Sequence, residues 1–193
     1  SKKNYAVIIL WRLFFIGLGL FILIIFLADF GVFGAMPSIE ELQNPSALQA
    51  SQVYADDGTL MGKYYLEDRV NIDYKDISPY VINALVATED ERFYKHSGID
   101  PRSLGRAVFS LGTKGGASTI TMQTAKNLFT NISSNPFVRI IQKIKESIIS
   151  IKLERNFTKP EILTIYLNTV SFSDNVFGIR NAAKTFFQKE PDQ

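Results

Sequence analysis

From Leu13 to Phe33 the chain carries a single charge, Asp29, close to the far end of the stretch. As a helix rising 1.5 Å per residue this segment is about 31 Å long, enough to cross the hydrocarbon core of a bilayer. It is apolar on every face, which argues against a helix buried in a water-soluble core. A cleaved signal peptide is the rival reading, weakened by an apolar run longer than the usual ~7–15 residues. Trp11 and Arg12 sit where an interfacial anchor belongs, and Arg12 can snorkel. Lys2, Lys3 and Arg12 precede the span, and no Lys or Arg follows until Lys63. That asymmetry puts the N-terminus in the cytoplasm and everything after about Gly34 outside. The expected organisation is a cytoplasmic tail at 1–12 and a transmembrane helix at 13–33.

Beyond the span the pattern changes. Ala35 to Ala50 is a polar connector containing Pro37 and Pro45. Gln52 to Ile72 alternates, with Asp56-Asp57-Gly58 as a turn signal between Val53-Tyr54 and Leu60 to Tyr65, which predicts a small β-hairpin. The connector with its hairpin takes up 34–75, and from Asp76 the pattern is helical. Ser78-Pro79 and Asp100-Pro101 each pair a capping residue with proline at the first helical position. The second of these helices is expected to end near Gly112. Ser118 is expected to open a helix to about Phe129, and Asn135-Pro136 a long one to about Arg155. Thr158-Lys159-Pro160-Glu161 is a capping box before a helix ending near Asn168, and a last helix covers Ile179 to Gln188. About 160 residues outside the membrane suffice for one mainly α domain with its own core. The net charge of +2 gives no ground for a nucleic-acid partner, and the lack of cysteine removes disulfides and thiolate chemistry.

Two clusters carry the chemistry. Thr88 to His96 gathers carboxylates, Arg92, aromatics and the chain's one histidine. Glu89 and Asp90 stand at the C-terminal end of an apolar helix, where the helix dipole and shielding by Phe93 and Tyr94 work against the ionised form. That environment suits a general base for a hydroxyl. Read on charge alone, Glu89 to Arg92 is more often a solvated helix end, and a lone His96 is more often a structural hydrogen-bonding group. No second His or Cys completes a zinc site. Gly115 to Gln123, followed by Lys126, reads as a loop-to-helix cradle for phosphate or sugar oxygens, or as an ordinary capped helix. It is not a Walker A loop, because no Gly-Lys-Ser/Thr closes it. On the long helix, Phe137, Ile140, Ile141, Ile144, Ile148 and Ile151 look like core. Arg139, Gln142, Lys143, Glu146 and Ser150 share a polar stripe. The stripe is either a solvated face or one wall of a cleft, with Glu146 facing Glu89 and the cations near a pyrophosphate.

Thr88-Glu89-Asp90-Glu91-Arg92-Phe93-Tyr94-Lys95-His96-Ser97-Gly98 resembles the first motif of the peptidoglycan glycosyltransferases, the lysozyme-like domains of class A penicillin-binding proteins and monofunctional transglycosylases. Gly116 to Gln123, with Lys126-Asn127 after it, resembles their second motif. Gln142-Lys143-Ile144-Lys145-Glu146 resembles the third, Lys159 to Asn168 the fourth and Gly178 to Phe187 the fifth. Five motifs in order over about 110 residues outweigh the blander readings of each.

The resemblance implies a mainly α, lysozyme-like glycosyltransferase domain over 76–193, incomplete at its C-terminal end and part of a longer bifunctional protein. It implies that Glu89 is the catalytic base and that Glu146 is a second carboxylate near the donor pyrophosphate and sugar. Arg106 and Lys126 match positions of basic residues that contact phosphates, while Lys143 and Arg139 would add charge there. Ser118, Thr119, Thr121 and Gln123 would shape the cleft, and Asp90, Phe93 and His96 would hold the first motif together. The implied reaction is inverting polymerisation of lipid II into β-1,4 glycan with release of undecaprenyl pyrophosphate. Its partners would be lipid II, the growing glycan, the membrane and a transpeptidase domain or cell-wall synthesis proteins, with no nucleic acid. No cofactor is obligatory, with a divalent cation such as Mg or Mn at the pyrophosphate an option. The implied location is the bacterial inner membrane, with the catalytic domain on its outer side. Phe109, Leu111, Leu128, Phe129 and Phe137 read equally as core or as residues that dip into the outer leaflet.

Two departures stand out. Gln142 replaces the third motif's arginine, with Arg139 one turn earlier as a substitute charge. Gln188 stands where the fifth motif continues with glycine. No Ser-x-x-Lys occurs in the sequence. The competing readings are a membrane-anchored lytic enzyme on a similar scaffold and a catalytically weakened protein that binds lipid II.

Overall fold

The structure is a computed structural model that describes residues 2–32, 37, 51–54, 60–64, 71–110, 116–129, 134–173 and 176–192. Helix α1 (Lys2–Asp29) contains an apolar run, Tyr5–Asp29, of membrane-spanning length. It starts well before the expected span, so Trp11 and Arg12 lie inside the helix, where Trp11 packs on Phe14 and Phe15. Its end is a Schellman turn. Gly31 takes φ 77° and donates to Ala28 O, while Val32 N donates to Leu27 O. A left-handed residue is needed there, and glycine supplies it without steric cost.

The hairpin forms as expected, with β1 (Ser51–Tyr54) antiparallel to β2 (Leu60–Tyr64) and an irregularity at Val53/Tyr54. The Asp56-Asp57-Gly58 turn and most of the connector lie outside the described residues.

The helical domain follows its punctuation. Helix α2 (Pro79–Glu89) is capped by the Ser78 hydroxyl, which accepts from Tyr80 N. Helix α3 (Pro101–Phe109) starts after Asp100 and is shorter than expected. Helix α4 (Ile120–Phe129) begins one residue later than Ser118 would cap, because the Thr119 hydroxyl takes the Met122 N–H. Helix α5 (Pro136–Asn156) is capped by Asn135, which accepts from Phe137 N. Helix α6 (Lys159–Thr169) follows a capping box in which Glu161 accepts from both the N–H and the hydroxyl of Thr158. A short hairpin, β3 (Ser171–Ser173) with β4 (Val176–Phe177), leads to α7 (Ile179–Ala182). The last helix does not continue as α to Gln188. It widens into a π turn over Ala183–Phe187 and stops at Gln188, which adopts φ 57°.

The core gathers Ile77 and Ile82, Phe93, Ile120 and, from α6, Ile162, Leu163, Tyr166 and Leu167. Ala125 of α4 meets Ile149 and Leu153 of α5 in a second cluster. Asn168 ties the incoming chain to α6, accepting from Ile72 N at 3.0 Å and donating to Ile72 O at 3.1 Å.

Helix α5 corrects the expected core. Its buried residues are Glu146, Ile149, Ser150 and Leu153, a stripe at spacings of three and four. The apolar residues expected inside are elsewhere. Phe137 is 77% and Ile140 60% exposed, and Ile144, Ile148 and Ile151 line an apolar cavity shared with Ile25 of α1. From the polar stripe Glu146 and Ser150 turn inward, bonded within the helix itself to Lys143 Nζ and Ser147 O, while Arg139 and Lys143 stay exposed.

Candidate active site

The site starts from two locked helix ends. Asp90, just past α2, is buried, and both its carboxylate oxygens accept from His96 Nε2 at 3.0–3.1 Å. Asp90 Oδ2 also takes the N–H of Ile120, the first residue of α4, at 3.0 Å. A charge at a helix N-terminus that satisfies an orphan N–H is stabilised by both effects. The C-terminal end of α2 is thereby held against the start of α4. Phe93 is fully buried with its edge toward His96. Lys159 Nζ lies 4.2 Å from the Phe93 ring centroid and donates to His96 O at 2.8 Å. Asp90, Phe93 and His96 thus hold the loop together, and among the described residues His96 Nδ1 is buried without a hydrogen-bond partner.

A second lock lies behind the first. Asp100, 1% exposed, accepts from Arg92 Nε at 3.0 Å, from Ser103 Oγ at 2.7 Å and from Arg102 N at 3.1 Å. Burial opposes its charge, but the Ser103 and Arg102 hydrogen bonds and the Arg92 guanidinium outweigh it and hold the carboxyl below the usual range. Gly98 sits at φ 92°, and a Cβ there would lie 2.8 Å from Ser150 O. The loop therefore passes directly against the α5 backbone, and only glycine fits.

Held at this junction, Glu89 is exposed and faces one turn of α4. Gln123 Nε2 donates to Glu89 Oε2 at 2.9 Å, and the Tyr166 hydroxyl donates to Gln123 Oε1 at 3.2 Å. Among the described residues no other hydrogen bond reaches Glu89. The expected shielding of Glu89 by aromatics does not occur, because Phe93 is drawn into the core and Tyr94 is 58% exposed. Tyr166 is buried, and burial followed by the charge of Glu89 pushes its phenol up to about 12. The sequence reading missed Tyr166. Its signal was the fourth motif itself, in which Tyr166 is the one large side chain with a hydroxyl.

The other expected site residues divide. Glu146 is buried and accepts from Lys143 Nζ at 2.6 Å. Among the described residues, that lysine is its hydrogen-bond partner, and no bond joins it to Glu89. Ser118 and Lys143 line one cavity of about 360 Å³ with Met122, Ile144 and Leu104. Thr119 and Thr121 do not shape a cleft. Both are buried, and their hydroxyls donate inward, Thr119 to Gly98 O at 2.6 Å and Thr121 to Glu154 at 2.6 Å. Gln123 spends its amide on Glu89 and Tyr166. Arg106 and Arg139 lie on exposed faces of α3 and α5, and Lys126 is half-buried on α4. Of the residues considered for the outer leaflet, Phe109 and Phe137 are exposed, Leu128 and Phe129 are half-buried, and Leu111 lies outside the described residues.

Among the described residues, no three His, Cys, Asp or Glu side chains cluster as a metal site.

Comparison with known proteins adds a family. The Transglycosylase family matches residues 57–193. The chain is 36% identical over 162 residues to penicillin-binding protein 1A of Escherichia coli strain K12, covering 82% of this chain and 19% of that protein. It is 39% identical over 145 residues to penicillin-binding protein 1F of Bacillus subtilis strain 168, covering 73% of this chain and 20% of that one. With penicillin-binding protein 1A of Aquifex aeolicus the identity is 37% over 162 residues, covering 82% and 22%. The chain thus spans about a fifth of the length of these curated relatives.

Proposed function

The chain belongs to the transglycosylase family, and from that premise we propose that it is a peptidoglycan glycosyltransferase that polymerises lipid II on a lysozyme-like scaffold over 76–193. The observation that carries this reading is Glu89, an exposed carboxylate anchored through one oxygen to Gln123 at 2.9 Å. The other oxygen is left to meet a substrate hydroxyl. A base for an acceptor hydroxyl needs that combination of fixed position and open access.

Glu89 takes the proton from the 4-hydroxyl of the acceptor lipid II sugar. The oxygen attacks C1 of the growing chain's reducing-end sugar, with inversion from α to β. The C1–oxygen bond to undecaprenyl pyrophosphate breaks, and the electron pair leaves on the pyrophosphate. That leaving group is an anion and needs cations rather than a proton donor. Lys143, on the wall of the apolar cavity, is the best placed, with Arg139, Arg106 and Lys126 contributing charge around it. Glu146, bonded to Lys143 at 2.6 Å, sets the position of that ammonium.

The apolar helix α1 supports a membrane-anchored protein whose two polyprenyl substrates share its surface, which raises their effective concentration. The basic residues before the span favour a cytoplasmic N-terminus and an outward catalytic domain in the bacterial inner membrane. The relatives named penicillin-binding proteins support a transpeptidase as the neighbouring partner.

The test is polymerisation of labelled lipid II in liposomes by wild type and by Glu89→Gln. Glycan chains from the wild type and a loss of roughly 10²–10⁴-fold in the variant are expected. A variant that polymerises at the wild-type rate would remove Glu89 from the mechanism. Shortened glycans released from preformed wall would instead favour a lytic enzyme.

A further inference from the structure

We propose that Tyr166 is a positioning residue for Glu89, holding the Gln123 side-chain amide in the one orientation that presents its N–H to the carboxylate. This rests on the reading of Glu89 as the base. An exposed glutamate at a helix end samples many rotamers, and most aim its oxygens into water. Gln123 selects among them through its bond to Oε2 at 2.9 Å. An amide, however, presents either of two chemically opposite edges. With its carbonyl turned toward Glu89 it would repel the carboxylate.

Donor and acceptor chemistry fixes the choice. Ionised Glu89 only accepts, so it must face the amide NH₂. The carbonyl Oε1 then points away and needs a donor, which the Tyr166 hydroxyl provides at 3.2 Å. The ring that carries this hydroxyl is 5% exposed and packed in the core with Phe93, Ile120 and Leu163, so the hydroxyl is a rigid reference point. Its phenol, pushed up to about 12 by burial and then by Glu89, keeps its proton wherever a carboxylate base works. The result is a chain of two hydrogen bonds from the core to the exposed base. When Glu89 accepts the substrate proton, the chain stays in place and no proton passes along it.

The experiment compares Tyr166→Phe, Gln123→Ala and the double variant in the full chain, on labelled lipid II in liposomes, beside Glu89→Gln. Tyr166→Phe keeps the ring in the core and removes one oxygen. Its kcat should fall roughly tenfold with KM changed by less than about twofold. The double variant should be no slower than Gln123→Ala alone, because Tyr166 acts through Gln123. A wild-type kcat in Tyr166→Phe, or a further independent loss in the double variant, would overturn the proposal. Activity retained by Glu89→Gln would overturn the reading beneath it and leave the geometry testable. For that, the side-chain amide protons of Gln123 are followed by nitrogen-15 NMR in micelles without substrate. One of the pair should exchange slowly with water in the wild type and lose that protection in Tyr166→Phe. Identical exchange in both proteins would overturn the positioning role irrespective of catalysis.

Discussion

The two sides of the site are built differently. Around Glu89, the ends of α2 and α4 are pinned by Asp90 and His96, and a core tyrosine reaches Glu89 through Gln123. On the side proposed for the pyrophosphate, Arg106 and Arg139 stand on exposed faces of α3 and α5, helices that also carry the bare apolar residues Phe109 and Phe137. In the proposed reaction a proton is taken at a fixed distance, which a rigid base side suits. A pyrophosphate spreads its charge over several oxygens and is stabilised by cations within a wider tolerance. Substitutions on the first side should therefore cost folding, whereas those on the second should cost activity alone.

Asp90→Ala is the largest expected break on the rigid side. It leaves the Ile120 N–H and His96 Nε2 buried without acceptors, each costing about 1–3 kcal/mol. The melting temperature should fall by roughly 10 °C, with activity lost in proportion to the folded fraction. A melting temperature within a degree or two of wild type would mean that the helix junction does not depend on this carboxylate.

The first motif shows how much of this was readable and where reading stopped. Capping residues and prolines predicted the starts of α2, α3, α5 and α6 because those signals act locally through one hydroxyl, amide or carboxylate. The hairpin was legible for the same reason. The orientation of α5 was not. A stripe of isoleucines looks like core unless one knows that the apolar helix α1 and an apolar cavity cover part of it and leave Phe137 bare. Thr119 and Thr121 looked like ligands because a hydroxyl's direction is set by its tertiary partner, here Gly98 O and Glu154. Tyr166 was hidden inside a helical pattern that explains it fully as core until its hydroxyl is placed.

Arg139→Ala tests the adaptable side. The side chain is exposed, so stability should change by less than about 0.5 kcal/mol. Polymerisation should slow by several-fold to roughly tenfold, with the gap to wild type narrowing as added salt screens the charge that Arg139 contributes. Gln142→Arg in the same background should recover part of the rate, because it returns a guanidinium within one turn. Unchanged polymerisation by Arg139→Ala, or a thermal loss like that of Asp90→Ala, would erase the contrast between the two sides.

The smallest effect concerns acid. Asp100 is held below the usual carboxylate range by its Ser103, Arg102 and Arg92 partners, so the folded state binds its proton less readily than the unfolded chain. Its contribution is complete above the unfolded value, near 3.8, and is lost as pH falls through the lower folded value. Glu161, also lowered by the Thr158 hydroxyl and N–H, begins to lose its contribution earlier in the acid descent, below its own unfolded value near 4.5. Asp100→Asn should therefore melt a few degrees lower than wild type at pH 7, and the gap should narrow as pH drops toward 3. The narrowing is complete only once pH passes below the lowered folded-state value of Asp100, and Glu161, titrating in both proteins, drops out of the difference. Melting curves collected at half-unit pH steps decide the matter. Parallel curves would place the stability of this loop in the packing of Phe93 and Gly98 rather than in the Arg92–Asp100 pair.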